Sequence, residues 1–398
     1  MKYKIKGFLT DLLGSARVTK RRKKIIANAS TSREYNDPIR EVAEIWHPAV
    51  NHLIVTAVED VSPTARKIVF ENEDGSKLPP FEAGQYVSLD LKIGETETTR
   101  PYSICSAPYE ARLEEHPHIA IAVRNGKPGV GFAANWLYEN AKVGMKFTAH
   151  LPFGFFYLEP LRDAKRIIGL AGGSGITPFL SMAKEIKEGR LDFDLTILYG
   201  SVSSKDIILK EELEAAECDR VKFVNVISGE KDYPGEKGFL TAELIKKYAG
   251  EGDVSYFVCG PLAMYEFVEG ELKKLGVPEK RIRMEVFGAP RDITKSAGYP
   301  LGKEKETYQL KVQIGLSEQI IPARGDESIA VAMERAGIKN PTRCRSGSCG
   351  FCRCKLLEGE VYVPPVGDGR RYADKLYGYV HACSTYPLSD LAIKIDIL

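Results

Sequence analysis

From about Asn51 the apolar positions fall in short runs of strand length: LIVTAVEDV, ARKIVFEN, YVSLDLKI, RPYSIC, HIAIAVRN and MKFTAHLPF, separated by Pro, Gly and charged turns. Runs of this length with regular turn signals predict an antiparallel barrel or sandwich. One segment, FAANWLYENA, breaks the pattern and predicts a helix inside it. From about Ala164 the rhythm changes. RIIGLAG, DLTILYG, VKFVNVIS and VSYFVCG predict strands, and each leads into a helical stretch: PFLSMAKEIKEG, KDIILKEELEAAE, LTAELIKKYAG and LAMYEFVEGELKKLG. RIRMEVF closes the series. Strands alternating with helices predict an open parallel sheet covered on both faces. Residues 289–307 are rich in Pro, Gly and charge and read as a linker. Beyond it, YQLKVQIG and EQIIPARG form a hairpin-like pair and SIAVAMERAG a helix; a cysteine loop and the strands CKLLEGEVYV and LAIKIDIL follow. The expected organisation is an extension over 1–50, a β-barrel domain over 51–159, an α/β domain over 160–288, the linker, and a small α+β domain over 308–398.

Composition adds three constraints. With 43% hydrophobic and 28% charged residues, the 398-residue chain has the balance of a soluble globular protein. No apolar run nears the roughly 18 residues of a membrane span, and a net charge of +2 gives no reason to expect a nucleic-acid partner. The charge is uneven, however. Residues 1–24 hold Lys2, Lys4, Lys6, Arg17 and the run Lys20, Arg21, Arg22, Lys23, Lys24 against Asp11 alone. The intervening GFLTDLLGSA is short for a signal segment and carries an acid, so no secretory leader is expected. A basic arm of this kind suits an acidic partner or peripheral membrane contact. The plainer expectation is a solvated tail that tucks Phe8, Leu9, Leu12 and Leu13 onto the body. PIREVAEIW predicts a short helix after it.

Four of the eight cysteines crowd into residues 344–354. Cys344, Cys349 and Cys352, with Cys383 far downstream, give C-x4-C-x2-C-x30-C, the plant-type 2Fe-2S spacing. Three thiolates on one tight loop wrap one side of the cluster and a distant cysteine completes the second iron. Gly347 and Gly350 leave room for backbone N–H groups to face the sulfurs. A zinc site would instead show paired C-x2-C knuckles. Thiolate ligands require a reducing compartment, and the cytoplasm is expected. Cys354 reads as a small core residue.

Two further segments carry candidate chemistry. Gly172, Gly173, Gly175, Thr177 and Pro178 sit between a predicted strand and helix, where glycines let a pyrophosphate approach and the helix N-terminus offers free N–H groups. Thr177 is the expected N-cap and Pro178 fits the first turn. The loop departs from G-x-G-x-x-G, and no acid ends the second strand, so the usual dinucleotide fingerprint is not met. Gly200 and Ser201 end the second strand, and Cys259, Gly260 and Pro261 the fourth, at the sheet edge where such folds bind ligands. Cys259 is equally compatible with a core position. On the barrel side, Arg100, Pro101, Tyr102 and Ser103 put a cation, a flat ring and a hydroxyl on one short strand, a set suited to a phosphate and a ring system, or to an ordinary edge strand.

Taken in order, these segments resemble the ferredoxin–NADP reductase superfamily, in its branch with a C-terminal plant-type ferredoxin domain, over about residues 51–398. Arg100, Tyr102 and Ser103 match its flavin motif, preceded by Phe81–Val87. The 172–178 loop matches its pyrophosphate loop, and Cys259, Gly260 and Pro261 its nicotinamide signature. Pro152–Phe156 resembles the turn that ends the flavin domain, and Glu285 and Phe287 fall where the family places an acid and an aromatic near the flavin. The resemblance implies an antiparallel β-barrel flavin domain, an α/β parallel-sheet nucleotide domain and an α+β (β-grasp) ferredoxin domain. It implies an electron-transfer reductase: hydride from NADH, single electrons through FAD and the 2Fe-2S cluster, delivery to a partner redox protein such as an oxygenase. Ser103, Cys259, Glu285 and Phe287 are the residues it places at the hydride step. The second flavin-phosphate segment, around Gly129 and Gly131, lacks the usual Gly-x-x-Ser ending, and one reductase of this branch uses FMN, so FMN is the alternative flavin. No arginine follows Ser201, only Lys205, so NADH is preferred over NADPH. Two rival readings are a reductase running in reverse, from a reduced carrier to NAD⁺, and a redox-sensing or assembly subunit.

Overall fold

The computed structural model describes residues 7–29, 37–126, 131–288, 290, 292–365 and 368–395. It divides into an N-terminal unit ending at Ile45 and a body from Trp46 onward. In the N-terminal unit, helix α1 (Phe8–Ala27) buries none of its residues, and Phe8, Leu9, Leu12 and Leu13 are all exposed. Helix α2 (Pro38–Trp46) places Ile39, Val42, Ile45 and Trp46 along one side at helical spacing, and these too are exposed.

The body opens with six antiparallel strands: β1 (Asn51–Ser62), β2 (Ala65–Asn72), β3 (Tyr86–Ile93), β4 (Thr96–Ser103), β5 (His118–Arg124) and β6 (Lys146–Phe153). Their order is β4-β3-β6-β1-β2-β5, and an Ile104–Ile121 bridge brings the two edges together into a barrel. The alternation read from sequence is the cause: Leu53 and Val55 of β1 point inward while His52 faces solvent, and Ile68, Phe70, Ile119 and Ile121 fill the same interior. Helix α3 (Phe132–Asn140) caps it with Ala133 and Leu137.

The second sheet is parallel, in the order β10-β9-β8-β7-β11-β12. Its strands are β7 (Arg166–Gly172), β8 (Asp194–Ser201), β9 (Val221–Ile227), β10 (Glu236–Lys237), β11 (Val254–Cys259) and β12 (Ile282–Glu285). The helices α4 (Thr177–Lys187), α5 (Lys210–Ala215), α6 (Ala242–Ala249) and α7 (Leu262–Lys274) accompany them. α5 is shorter than the helical pattern over 205–217 predicts. Ile207, Ile208 and Leu209 are all buried and Leu209 turns at φ 57°, so the chain dives into the core before a helix can start.

The third sheet, ordered β14-β13-β19-β15-β17, mixes parallel and antiparallel pairs beneath helix α8 (Ile329–Arg335). It contains β13 (Thr307–Ile314), β14 (Ser317–Arg324), β15 (Arg353–Glu358), β17 (Tyr379–His381) and β19 (Leu391–Ile395); β16 (Val361–Tyr362) and β18 (Tyr386–Pro387) pair separately, and helix α9 (Tyr372–Leu376) precedes β17. β14 tolerates Pro322 because it is an edge strand. The segment ahead of β13 is packed: Tyr299 is buried, its ring lies 5.2 Å from that of Tyr362, and its hydroxyl donates to the Gly325 carbonyl at 3.0 Å.

Phe156, just past the barrel, inserts into the parallel-sheet core, with ring centroids 5.7 Å from Phe179 and 5.1 Å from Phe257. Removing such a fully buried ring costs roughly 3–5 kcal/mol. Phe156→Ala is therefore expected to lower the urea midpoint of the body by that order, read by tryptophan and circular-dichroism signals. A change below about 1 kcal/mol would mean that the barrel and the α/β domain do not share this core.

Candidate functional site

β7 and β11 are neighbours from which the chain winds in opposite directions, so the loops after them face each other across the switch point of the sheet. The register aligns Cys259 with Ala171 on one side and Glu285 on the other, and Gly172 with Gly200. At Gly175 only glycine fits: a Cβ there would lie 2.2 Å from the Cys259 carbonyl oxygen and 2.6 Å from the Gly260 nitrogen. A Cβ at Gly172 would meet the Met264 side chain first and Pro261 at 3.2 Å. Gly173 is fixed by its carbonyl, which accepts the Tyr199 hydroxyl at 2.8 Å. Arg124 of the barrel lies beside Gly173, its Nη2 held by Asp206 at 2.6 Å.

Thr177 is not the N-cap expected from sequence. A 3-10 turn over Gly173–Ile176 precedes α4, and the Thr177 hydroxyl donates to the Ser174 carbonyl at 2.9 Å within that turn. Pro178 does occupy the first turn. The Thr177 N–H is taken by the Ser174 carbonyl and Pro178 has none, so the uncapped N–H groups that can meet a ligand are those of the Gly173–Ile176 turn, which no side chain caps. A glycine-floored cradle at an uncapped helix start fits a pyrophosphate.

On the barrel, Ser103 ends β4 opposite Tyr86, Tyr102 pairs with Val87 and Pro101 with Ser88. The Ser103 hydroxyl donates to Glu285 Oε2 at 3.2 Å, joining barrel and α/β domain. Glu285 is buried, and that burial holds its carboxyl well above the usual range, with only the Ser103 hydrogen bond opposing. That direction favours the neutral acid, a form that can donate as well as accept a hydrogen bond. Phe287 packs edge-on against Tyr86 at 5.4 Å. Cys259 is buried too; burial, and secondarily the Glu285 charge, push its thiol well above its ordinary value. It is an uncharged surface, not a thiolate nucleophile. Tyr265, which sequence reasoning missed, accepts the Gly260 N–H at 3.1 Å and donates to the Glu285 carbonyl, locking the turn after β11 to β12. Three residues before Ser103, Arg100 bonds the Thr98 hydroxyl and, at 3.0 Å, the Thr99 carbonyl; burial lowers its guanidinium to about 10. Gly131 begins α3 at φ 83°, whereas Gly129 lies outside the described residues. A guanidinium, a half-buried ring and a hydroxyl along one strand fit a phosphate-bearing ring cofactor.

In the third domain the Cys344, Cys349, Cys352 and Cys383 thiols converge. Cys344 meets Cys349 and Cys383, and Cys352 meets Cys383. The Ser346 and Cys349 N–H groups donate to Cys344 Sγ at 3.5 and 3.4 Å. Donation from Cys349 and then from Cys383 holds the Cys344 thiol far below its ordinary value. Gly347 and Gly350 take left-handed φ values of 82° and 79°, which turn the loop around the sulfurs. No group of three or more His, Cys, Asp or Glu among the described residues is arranged around a single ion; a 2Fe-2S rhombus takes two thiolates per iron. Cys354 packs in the core of this domain.

The cluster loop abuts the flavin strand. Phe351, between Cys349 and Cys352, stacks edge-on to Phe153 at 5.2 Å, Phe153 lies 6.0 Å from Tyr86, and the Arg343 guanidinium covers both phenylalanines. The Ser88 hydroxyl donates to the Arg343 carbonyl at 3.4 Å. Deeper in the seam, Thr98 donates to Glu334 Oε1 at 3.0 Å; Arg345 forks onto the same carboxylate, and Arg100 lies 3.9 Å from it. Of these partners, Phe351, Arg343, Thr98, Glu334 and Arg345 carry no sequence signal of their own.

Glu285 gives a pH test. Its folded value is raised, so the stability its proton contributes is complete below about 4.5, the ordinary carboxyl value, and is lost as pH rises through the folded value. Glu285→Gln keeps the shape without the titration. In flavin-free protein its Tm gain over the parent is expected to be larger at pH 8 than at pH 5, by roughly 2–4 °C per kcal/mol of burial cost removed. Equal gains at both pH values would mean that Glu285 is already ionised and solvated.

Comparison with known proteins agrees with this layout. A family model described as an oxidoreductase NAD-binding domain matches residues 170–270, and one described as a 2Fe-2S iron-sulfur cluster binding domain matches residues 312–388. The ferredoxin reductase component of 3-ketosteroid-9-alpha-monooxygenase from Mycobacterium tuberculosis is 30% identical over 355 residues, covering 86% of this chain and 94% of that protein. The NADH oxidoreductase HCR of Escherichia coli is 28% identical, over 79% of this chain and 89% of its own. Among solved structures, phthalate dioxygenase reductase has the same fold, with a TM-score of 0.62 at 23% identity, over 90% of this chain and all of that one. The chain belongs to the ferredoxin–NADP reductase superfamily, in its branch of nicotinamide-dependent flavin oxidoreductases with a C-terminal 2Fe-2S ferredoxin domain.

Proposed function

We propose that this chain is the NADH-dependent reductase component of a multi-protein redox system, passing electrons one at a time to a partner protein such as an oxygenase. The observation that carries the reading is the seam just described, in which the loop bearing Cys344, Cys349 and Cys352 meets Phe153 of β6 through Phe351 and is tied to the strand of Ser103 through Arg345, Glu334 and Thr98. A bound flavin supplies the conversion of a two-electron hydride into single electrons. The 172–178 loop receives the nucleotide pyrophosphate, with Gly200 and Ser201 along its path. Cys259, Gly260 and Pro261 wall the nicotinamide, and the hydrogen-bonded Ser103–Glu285 pair faces the flavin ring, with burial of Glu285 favouring its neutral form. Arg100 and the start of α3 take the flavin phosphates, with FAD as the expected flavin. Cys344, Cys349, Cys352 and Cys383 hold the irons.

NADH is favoured over NADPH by charge. Beyond Ser201, the Glu230 carboxylate accepts from the Ser203 and Ser204 hydroxyls at 2.7 and 2.8 Å. A carboxylate there repels a 2′-phosphate. The name of the Escherichia coli relative, an NADH oxidoreductase, points the same way, and that of the mycobacterial one, a monooxygenase component, supports an oxygenase as acceptor. Thiolate ligation and eight free cysteines support a reducing compartment, with the cytoplasm as the proposed location.

The basic arm adds peripheral attachment to an anionic membrane. Lys20 through Lys24 are five successive cations on α1, so they project around the whole helix. Attraction from every azimuth suits a charged plane better than a groove, and the exposed Phe8, Leu9, Leu12 and Leu13 supply apolar insertion. No helix among the described residues is long and apolar enough to cross a membrane.

Two outcomes check these statements. Cys349→Ser is expected to abolish NADH-driven reduction of a one-electron protein acceptor while NADH still bleaches the flavin at near-parental rate; equal loss of both would reject separate hydride and cluster stations. Deleting residues 1–24 is expected to lower co-sedimentation with phosphatidylserine vesicles at least tenfold and leave turnover with ferricyanide intact. Unchanged vesicle binding would assign the arm elsewhere.

A further inference from the structure

The cluster loop has a second flank, bordered by the Phe351 that also meets Phe153. A cavity of about 570 Å³ opens there, with Ser348, Cys349, Gly350, Arg353, Arg371 and His381 in its wall, so a cluster ligand forms part of its floor. The rim is cationic. Arg353 and Lys375 are about half exposed, at 49% and 51%; Arg370 and Arg371 stand at the start of α9. Two carboxylates offset them incompletely: Asp374 is paired with Arg353 at 3.1 Å, and Asp368 is shared between Arg370 at 2.8 Å and Lys375 at 3.1 Å. Four cations against two anions leave the side chains of this rim at +2, set around the anionic thiolate cluster behind Cys349.

Apolar surface accompanies the charge. Tyr372, Leu376 and Tyr377 are 82%, 60% and 64% exposed within six consecutive residues. Exposed tyrosines and arginines around a concave opening have the composition of a protein-binding surface. The hydride cradle, built around Gly175 and Cys259 in the α/β domain, shares none of these residues.

We propose that this flank is the docking surface for the electron acceptor, and that the acceptor is a redox protein presenting an acidic rim around an apolar centre. The inference rests on the reductase reading above and adds the chemistry of its partner. Opposite charge on the two rims steers encounter, and Tyr372 and Leu376 supply the contact that excludes water at the point of transfer. One electron passes per encounter: the cluster is oxidised and the acceptor's metal centre reduced, and no bond is made or broken.

The test uses the cofactor-loaded full chain with two protein probes of similar size, an acidic rubredoxin and basic cytochrome c, and ferricyanide as a small-molecule control. NADH-driven rubredoxin reduction is expected to fall about tenfold between low and physiological salt, and cytochrome c reduction to lack that fall. Lys375→Glu and Arg371→Glu are expected to raise the KM for rubredoxin about tenfold and to remove its salt dependence, with little change in kcat; Tyr372→Ala is expected to raise that KM at all salt concentrations. Ferricyanide rates and the visible spectrum of the cluster report that each variant is folded and loaded. Indistinguishable salt profiles for the two probes, or charge reversals that leave the rubredoxin KM unchanged, would overturn the assignment. Loss of reduction of all three acceptors by the parent protein would instead reject the reductase reading itself.

Discussion

A single buried carboxylate, Glu334, carries much of the contact between the cluster loop and the flavin strand. It receives a hydroxyl from Thr98 of the barrel and a forked guanidinium from Arg345, the residue immediately after Cys344, and lies within 4 Å of Arg100. Arg345 reaches it from a left-handed backbone, φ 57°, which a non-glycine side chain adopts only at a cost. Removing one partner of such a buried pair is destabilising by about 3–5 kcal/mol, whereas the intact pair contributes little net stability. What the arrangement provides is placement. A loop that must hold thiolates beside a flavin is tied to the strand carrying the flavin motif, in one register, through a carboxylate that tolerates no substitute geometry.

The chemistry on either side of that seam is kept electrically different. At the proposed hydride site the protein disfavours charge: burial raises both the Cys259 thiol and the Glu285 carboxyl, and Tyr265 satisfies the Gly260 N–H and the Glu285 carbonyl. A hydride transfer in a dry pocket depends on geometry, and unpaired charges there would draw water in. Around the cluster the protein does the reverse. N–H groups face Cys344 Sγ, and Arg343 lies over Phe153 and Phe351 at the boundary. A cluster whose net charge changes by one on reduction is tuned by such dipoles and cations.

The sequence made the modules legible because each obeys one period. Short runs of strand length such as LIVTAVEDV and HIAIAVRN, bounded by turns, announce a barrel or sandwich, and strand–helix alternation after Ala164 announces a parallel sheet. The cysteine spacing and the glycine turn were readable because thiolate geometry and close backbone approach restrict residue type. The failures share a cause. Thr177 looked like a helix cap because a hydroxyl precedes an apolar run, but the Gly173–Ile176 turn had already started the helix. The Ile207–Leu209 segment carried a helical pattern because all three residues are buried, and burial on every side erases periodicity. Arg124 and Glu334 act across domain boundaries on partners 82 and 236 residues away, as Phe351 does on Phe153, and no local pattern encodes such a partner.

Those long-range contacts also bear on how the electron moves. A linker rich in Pro, Gly and charge suggests a cluster domain that swings between the flavin and an acceptor. Instead the connecting segment is anchored: Tyr299 is buried among Tyr362 and Tyr386, and its hydroxyl is bonded to Gly325. With Glu334 and Phe351 fixed as well, movement of the cluster domain away from the barrel has to break a buried ion pair and an aromatic contact together, a cost with no compensating contact among the described residues. A fixed domain makes the internal hop a matter of preset geometry and moves the variable step outward. The partner must come to the cluster, which places selectivity on the surface that meets it and leaves the hydride site free to be judged on the nicotinamide alone.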